Sequence, residues 1–267
     1  MEPIVGRARH RAMLTTVRPR VIALASLLLG AVVVAGCTGS GATPNATPGA
    51  TPGATPAPTP GAVDTPEAAV AAIQARTPLF DGIGPQRKDM IGQDRWWEAQ
   101  PGDGTTPPTG WTIRFTVGWG DCPSGCIDRH GWTWNVTHDG TVTFVAEDGS
   151  PLAAQVLAGL RATAKGPGAG GRVFAGPTCP VERPDDPSCA PRMVANAVLV
   201  VKDAAGAEVL RSTMDGSGLF RWSLKAGDYT LEAQPLEGLM GTPAPMPFTV
   251  ADGALTWLDV SYDTGIR

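Results

Sequence analysis

The sequence predicts an α+β module, one helix on a four-stranded antiparallel sheet, followed by an all-β sandwich. Three observations lead to this fold class. Strand-like segments with strict apolar and polar alternation occupy the middle of the chain, and shorter strand-like segments between turn signals occupy its C-terminal part. A Gly-rich run over 166–171 separates the two, so we place a linker there. The 267 residues suffice for two domains.

Residues 1–36 have the features of a lipoprotein signal peptide. Five Arg precede an uncharged apolar run over 21–35, which is shorter than the ~20 residues that span a bilayer. The run ends in Val34-Ala-Gly-Cys37, which resembles the lipobox of bacterial lipoproteins. The resemblance implies that Cys37 is lipidated after cleavage. We therefore expect a lipid-anchored protein on the extracytoplasmic face of the cell membrane, with the membrane as its first partner.

Residues 37–62 comprise the candidate lipidated Cys and a Thr/Pro-rich linker. From 38 to 62 every residue is Thr, Gly, Ser, Ala, Pro or Asn, so this segment contains no large apolar side chain for a core. Cleavage would remove five of the 21 basic and one of the 25 acidic residues, leaving 16 basic against 24 acidic. This acidic balance argues against a nucleic-acid partner. It also predicts that the lipid, and not the surface charge of the protein, attaches the chain to the membrane.

The first module spans 63–165. Thr65 followed by Pro and Glu predicts the start of a helix that ends near Arg76. The alternating run Trp111–Trp119 predicts a half-buried strand, and Asp139-Gly140 predicts a tight hairpin between two later strands. A second helix is expected after Ser150. The layout is similar in topology to the cystatin and PepSY types of α+β module.

The second module spans 172–267 and consists of short strands separated by turn signals. Seven strands at this spacing predict a β-sandwich. The expected strands are 172–175, 195–202, 208–213, 219–224, 229–233, 247–250 and 256–262.

Three segments of this second module share a family pattern. They are Ala197-Val198, Thr213-Met-Asp-Gly-Ser-Gly-Leu-Phe220 and Leu224-Lys-Ala-Gly-Asp-Tyr-Thr-Leu231, and they resemble the carboxypeptidase regulatory-like (prealbumin-like) family over about 170–262. Met214 departs from the pattern, in which Thr and Asp are adjacent. The resemblance implies a prealbumin-like sandwich that is a non-catalytic accessory domain. Independently, Gly-Asp-Tyr229 at a strand start predicts a tyrosine corner, with the hydroxyl bonded to nearby backbone.

Four cysteines remain in the mature chain, an even number in a protein predicted to be exported. Cys122 and Cys126 lie in a Pro/Gly loop of the first module, and Cys179 and Cys189 flank a polar loop of the second. Four cysteines allow three connectivities, and the short separations favour disulfides within each pair.

A metal or redox centre is the alternative for the first pair. Cys122, Cys126, His130 and His138 could supply four tetrahedral ligands to zinc, although exported thiols tend to oxidise. The same two cysteines could also form a redox dithiol, but the C-x-x-C spacing at a helix start is missing.

The chain contains none of the common catalytic motifs, and we expect no catalytic residues and no cofactor. The leading hypothesis is a non-enzymatic surface lipoprotein that presents binding or scaffolding modules to an envelope protein or a cell-wall glycan. Adjacent Trp96 and Trp97 on one strand must point to opposite faces, so one is expected to point away from the core, where it could stack on a sugar ring.

Overall fold

The computed structural model describes residues 62–102, 109–181, 183 and 186–267. The predicted signal peptide, the lipidation site at Cys37 and nearly all of the Thr/Pro-rich linker lie outside these residues. Within them, no helix is long and apolar enough to cross a membrane.

The first half of the described chain is a four-stranded antiparallel sheet with two helices. Helix α1 begins where the sequence predicts, with the Thr65 hydroxyl accepting a hydrogen bond from the Ala68 N–H at 3.2 Å. The strands are hydrogen-bonded in chain order, and a second helix, α2, follows the sheet. These elements are α1 Pro66–Gln74, β1 Arg95–Pro101, β2 Gly110–Trp119, β3 Asp128–Thr137, β4 Val142–Gly149 and α2 Ala154–Thr163.

One face of this sheet is covered by α1 and by a 3₁₀ turn at Pro78–Phe80. The alternating stripe predicted for β2 supplies Phe115 to this core, and its ring stacks on Phe80 with centroids 4.1 Å apart. The chain enters the fold beside the β3–β4 hairpin, because the Val63 N–H donates to the His138 carbonyl oxygen at 2.9 Å. Helix and sheet therefore share one apolar core, as the periodicity indicates.

The second half contains two further sheets. One has the order β11-β10-β7-β8, and the other places β12 and β6 beside β5, with β9 also paired to β5. The pairing of β5 with β12 is parallel. The strands are β5 Gly168–Gly176, β6 Arg192–Met193, β7 Val198–Asp203, β8 Glu208–Thr213, β9 Leu219–Trp222, β10 Gly227–Ala233, β11 Met246–Val250 and β12 Leu255–Asp263.

Buried apolar side chains from both of these sheets form a second core. The predicted tyrosine corner is present: the Tyr229 hydroxyl donates to the carbonyl oxygen of Lys225 at 2.9 Å. In the turn before β9, the Asp215 carboxylate accepts a hydrogen bond from the Ser217 N–H at 2.9 Å. The described chain is therefore mostly β-structure in three sheets, with two short helices.

The Gly-rich run differs from the expected linker, because residues 168–171 form the first half of β5 and are buried. A Cβ at Gly171 would collide with the carbonyl oxygen of Leu258 on the parallel neighbour, and one at Gly170 would meet the Pro78 ring at 2.5 Å. Glycine is needed here because backbones approach closely, a role that composition does not distinguish from a flexible linker.

Charged side chains join the two halves of the described chain. Asp81, which follows the 3₁₀ turn, accepts a hydrogen bond from Arg221 of β9, and the two side chains are only 12% and 21% exposed. Asp259 of β12 pairs with Arg161 of α2 and with Arg172 of β5. The two cores are thus connected by partly buried ion pairs.

Candidate functional site

The structure contains two disulfides, Cys122–Cys126 and Cys179–Cys189, which is the local pairing favoured by the sequence. The first closes a tight loop between β2 and β3. This loop packs on Gly118, where a Cβ would lie 2.6 Å from the sulfur of Cys126. Two disulfides indicate an extracellular or surface protein, because the cytosol keeps thiols reduced.

The structure does not bring together the four residues of the zinc alternative. Both thiols of the first pair are joined to each other, His130 contacts Glu147, and the Nδ1 of His138 lies 3.0 Å from the Asp64 carboxylate. Across the described ranges, no group of three or more His, Cys, Asp or Glu side chains is arranged to hold a metal ion.

A groove of about 1070 Å³ lies where the open end of the first sheet faces the sheet that contains β5. One wall is formed by β3, β4 and the start of α2. The other is formed by β5 and by the segment around the Cys179–Cys189 disulfide. This is the size of cavity that accepts a drug-sized ligand or a short peptide.

The first wall continues the apolar stripe of β3. Asp128, His130 and Trp132 alternate along the strand, so all three point to the core face of the sheet, and all three line the groove. The stripe is apolar beneath α1 and becomes polar where the helix no longer covers it. Glu147 of β4 lies directly opposite Trp132 of β3 and lines the same wall.

Both ring nitrogens of His130 have a partner. Its Nδ1 lies 2.8 Å from the carbonyl oxygen of Ser150, which can only accept, so this nitrogen carries a proton. Its Nε2 lies 2.8 Å from a carboxylate oxygen of Glu147. Since His130 is only 7% exposed, these two contacts hold its ring within the wall of the groove.

A serine is also present in this wall, but its contacts are structural. The Ser150 hydroxyl donates to Asp128 at 2.9 Å, while its backbone oxygen contacts His130. A serine nucleophile would instead have its hydroxyl bonded to the imidazole. The continuous network Asp128–Ser150–His130–Glu147 fixes charges in place, as a binding site requires.

The second wall is basic. Arg172 and Phe174 alternate along β5, so both point away from the sandwich core, and the guanidinium lies 4.7 Å from the ring centroid. The Arg172 Nε donates to Asp259 at 3.0 Å. Burial alone would raise the pKa of Asp259. However, the Arg172 charge, the hydrogen bonds from Trp257 and Arg172, and the Arg161 charge together lower that pKa below its ordinary value.

Trp96 and Trp97 point to opposite faces of the sheet, as expected. Each is nevertheless only 8% exposed. Trp96 lies under the guanidinium of Arg129, 6.0 Å from the ring centroid, and its Nε1 donates to Glu98 at 3.2 Å. The ring face is therefore not free to stack on a sugar.

Sequence reasoning did not identify the groove, although one signal for part of it was present. Extending the period of two from Trp132 back toward the disulfide loop would have placed His130 and Asp128 on the core face of β3. Nothing comparable marked Arg172 or Glu147, which meet the others only through tertiary packing.

No protein-family model matches the chain, and no curated protein matches it. Among solved structures, GBS52, the minor pilin of the Gram-positive pathogen Streptococcus agalactiae, is 10% identical with a TM-score of 0.30, over 57% of this chain and 68% of that one. The Bacillus anthracis TIE protein is 10% identical with a TM-score of 0.28, over 58% and 25% of the chains. BcpA, the major pilin subunit of Bacillus cereus, is 10% identical with a TM-score of 0.26, over 52% and 39%.

These similarities are distant. The chain spans less than half the length of the TIE protein and of BcpA.

Proposed function

We propose that this protein is a non-enzymatic surface lipoprotein, anchored at the membrane through Cys37, that binds a ligand in the groove between its two halves. The signal-like N-terminus and the lipobox-like Val-Ala-Gly-Cys support the anchor. The two disulfides fit an extracytoplasmic location. The C-terminal half would be a carboxypeptidase regulatory-like accessory domain, in accord with the segments that resemble that family.

The groove is the observation that carries the binding function. It combines an apolar lining with a small number of fixed charged groups, which is the usual composition of a ligand site. The hydrogen bonds of His130 and Ser150 hold these groups in place and leave no serine–histidine pair for nucleophilic catalysis. Such an arrangement favours binding over chemistry.

Metabolic labelling tests the anchor. Cells expressing the full chain are grown with an alkyne analogue of palmitate, and the protein is compared with a Cys37→Ala variant. We expect label and membrane association for the parent chain, and neither for the variant. Equal labelling of the two proteins would contradict the anchor.

A groove-filling substitution tests the binding function. Ala154, at the start of α2, is exposed and lines the groove, so Ala154→Trp should block it without disturbing a core. Ala205, in the exposed turn between β7 and β8, provides a matched Ala205→Trp control. Solubilised protein is incubated with envelope extract, and the bound glycan and peptide are measured. We expect the parent protein and the Ala205→Trp control to retain ligand and the Ala154→Trp variant to retain none. Equal retention by all three proteins would refute ligand binding in the groove.

A count of free thiols and bound zinc in non-reduced protein separates this proposal from the alternative centred on Cys122, Cys126 and His130. The binding proposal expects no reactive thiol and no stoichiometric zinc. Zinc bound at one equivalent, or two titratable thiols, would favour the metal or redox function instead.

A further inference from the structure

We infer that the ligand of the groove is a short peptide with a free amino end and a free carboxyl end. This inference rests on the proposed binding function and adds the chemical class of the ligand. It follows from the carboxylates on one wall, the guanidinium groups on the other, and the apolar surface between them.

The wall formed by the first sheet has an excess negative charge. Two carboxylates, Asp128 and Glu147, line the groove together with the ring of His130, which contacts Glu147. One oxygen of each carboxylate is used, by Ser150 and by His130 respectively. The second oxygen of each accepts no hydrogen bond from the described part of the chain. These unused acceptors on two carboxylates match the three donors of a terminal ammonium.

The wall formed by β5 presents a guanidinium to the groove. Arg172 lines the groove and shares the carboxylate of Asp259 with Arg161 of α2. Only the Nε of Arg172 is hydrogen-bonded, and both of its terminal nitrogens lack a partner within the described ranges. Contact with Phe174 fixes the plane of the guanidinium. A fork of two N–H donors held in one plane is the geometry that binds a carboxylate through two parallel hydrogen bonds.

A second guanidinium reinforces this wall. Arg183 lines the groove and forms no ion pair with any described residue. It is exposed and lies in the loop closed by the Cys179–Cys189 disulfide, so its replacement removes no ion pair among the described residues. A ligand carboxylate on this side would thus be within reach of the guanidinium groups of Arg172 and Arg183.

The lining between the charged walls is apolar. It includes Leu79, Trp119, Leu157, Met193 and Leu219, which come from both halves of the chain. A small inorganic ion would leave this surface unused, and a ligand with a single charge would satisfy one wall and be repelled by the other. A peptide of about three residues satisfies all three parts, because its ends carry opposite charges and its side chains can be apolar.

Binding of one tripeptide in four forms tests this inference. The probe is Leu-Ala-Leu with both ends free, and it is compared with its N-acetylated, C-amidated and doubly capped forms. Affinity for the solubilised, lipidated protein is measured by calorimetry and by the fluorescence of the Trp residues near the groove. We expect either cap to weaken binding about tenfold, since each removes a charge-assisted hydrogen-bonded pair.

Neutral variants assign each end of the peptide to a wall. Asp128→Asn keeps the oxygen that Ser150 contacts but removes the charge, and should reduce the penalty for N-acetylation to about twofold. Arg183→Gln should do the same for C-amidation. Asp252→Asn and Arg87→Gln, at exposed positions outside this groove, are the matched controls and should leave both penalties unchanged.

The outcomes separate this inference from the proposed function. Equal affinity for the free and the doubly capped tripeptide would overturn the inference. A second result would do the same: the tripeptide fails to bind at millimolar concentration, while Ala154→Trp still abolishes capture of an envelope ligand. In both cases the groove would remain a binding site for another class of molecule. Tripeptide binding that is unaffected by Ala154→Trp would instead refute the groove itself.

Discussion

The ion pair between Asp81 and Arg221 should couple the stabilities of the two halves of the protein. Asp81 accepts hydrogen bonds from Arg221 and from the Lys165 N–H at 2.8 Å. Hydrogen bonds to charged groups are worth about 1.5–3 kcal/mol each, and removing one member of a buried pair costs about 3–5 kcal/mol. Because both side chains are slightly exposed, we expect Asp81→Ala to lower the free energy of unfolding by about 3 kcal/mol, at the low end of that range.

A double-mutant cycle measures this coupling directly. Arg221→Met keeps the apolar stem of the side chain and removes its charge, and we expect a cost of about 2 kcal/mol. After one partner has been removed, removing the other breaks no further ion pair. We therefore expect the double variant to lower the free energy of unfolding by about 2 kcal/mol less than the sum of the two single variants. Urea titration followed by Trp fluorescence and by circular dichroism gives the three values.

The exposed turn residue Asp252 supplies the control, and Asp252→Ala should change the free energy of unfolding by less than about 0.5 kcal/mol. Two results would refute the reasoning. One is a cost below about 1 kcal/mol for Asp81→Ala, and the other is additivity of the single variants within about 0.5 kcal/mol.

Three further predictions concern single positions. Gly171→Ala places a Cβ on a backbone oxygen of β12 and should destabilise the fold by about 3 kcal/mol in urea titration. Gly159→Ala, at an α2 position with open space around it, should instead stabilise the fold by up to about 1 kcal/mol. Equal effects of the two variants would contradict the close approach of the backbones at Gly171. Tyr229→Phe removes the hydrogen bond of the tyrosine corner and should cost about 1 kcal/mol, and no change in the urea midpoint would mean that this bond contributes nothing. The pKa of Asp259 is lowered in the fold, so its carboxylate stabilises the protein above the unfolded-state pKa of about 3.9, and this contribution is lost as the pH falls through the lower folded-state value. The stability difference between the parent chain and Asp259→Asn should therefore shrink between about pH 5 and about pH 2, and a constant difference would exclude this linkage.

Much of the fold could be predicted because local rules govern it. The N-cap at Thr65, the alternation along β2 and the corner at Tyr229 depend on residues within a few positions of one another, and all three are observed. The run 168–171 was misinterpreted because glycine serves flexible linkers and close strand packing equally well. Only the neighbouring strand, distant in sequence, distinguishes the two.

The candidate site could not be predicted for a similar reason. His130 and Glu147 belong to neighbouring strands, but Arg172 comes from the other half of the chain and meets them across the groove only after both halves have folded. Trp96 shows the same limit, since the alternation correctly gives its direction and nothing local predicts that Arg129 covers it.

Val63, beside the β3–β4 hairpin, marks where the described chain enters the fold, and this point is far from the groove. The chain arrives next to His138, just past one end of β3, whereas Asp128 and His130 lie at the other end. Ten residues of extended strand separate these points by about 30 Å. The described chain therefore enters the fold at one end of the first sheet and the mouth of the groove lies at the other end, so the point of entry does not obstruct the groove.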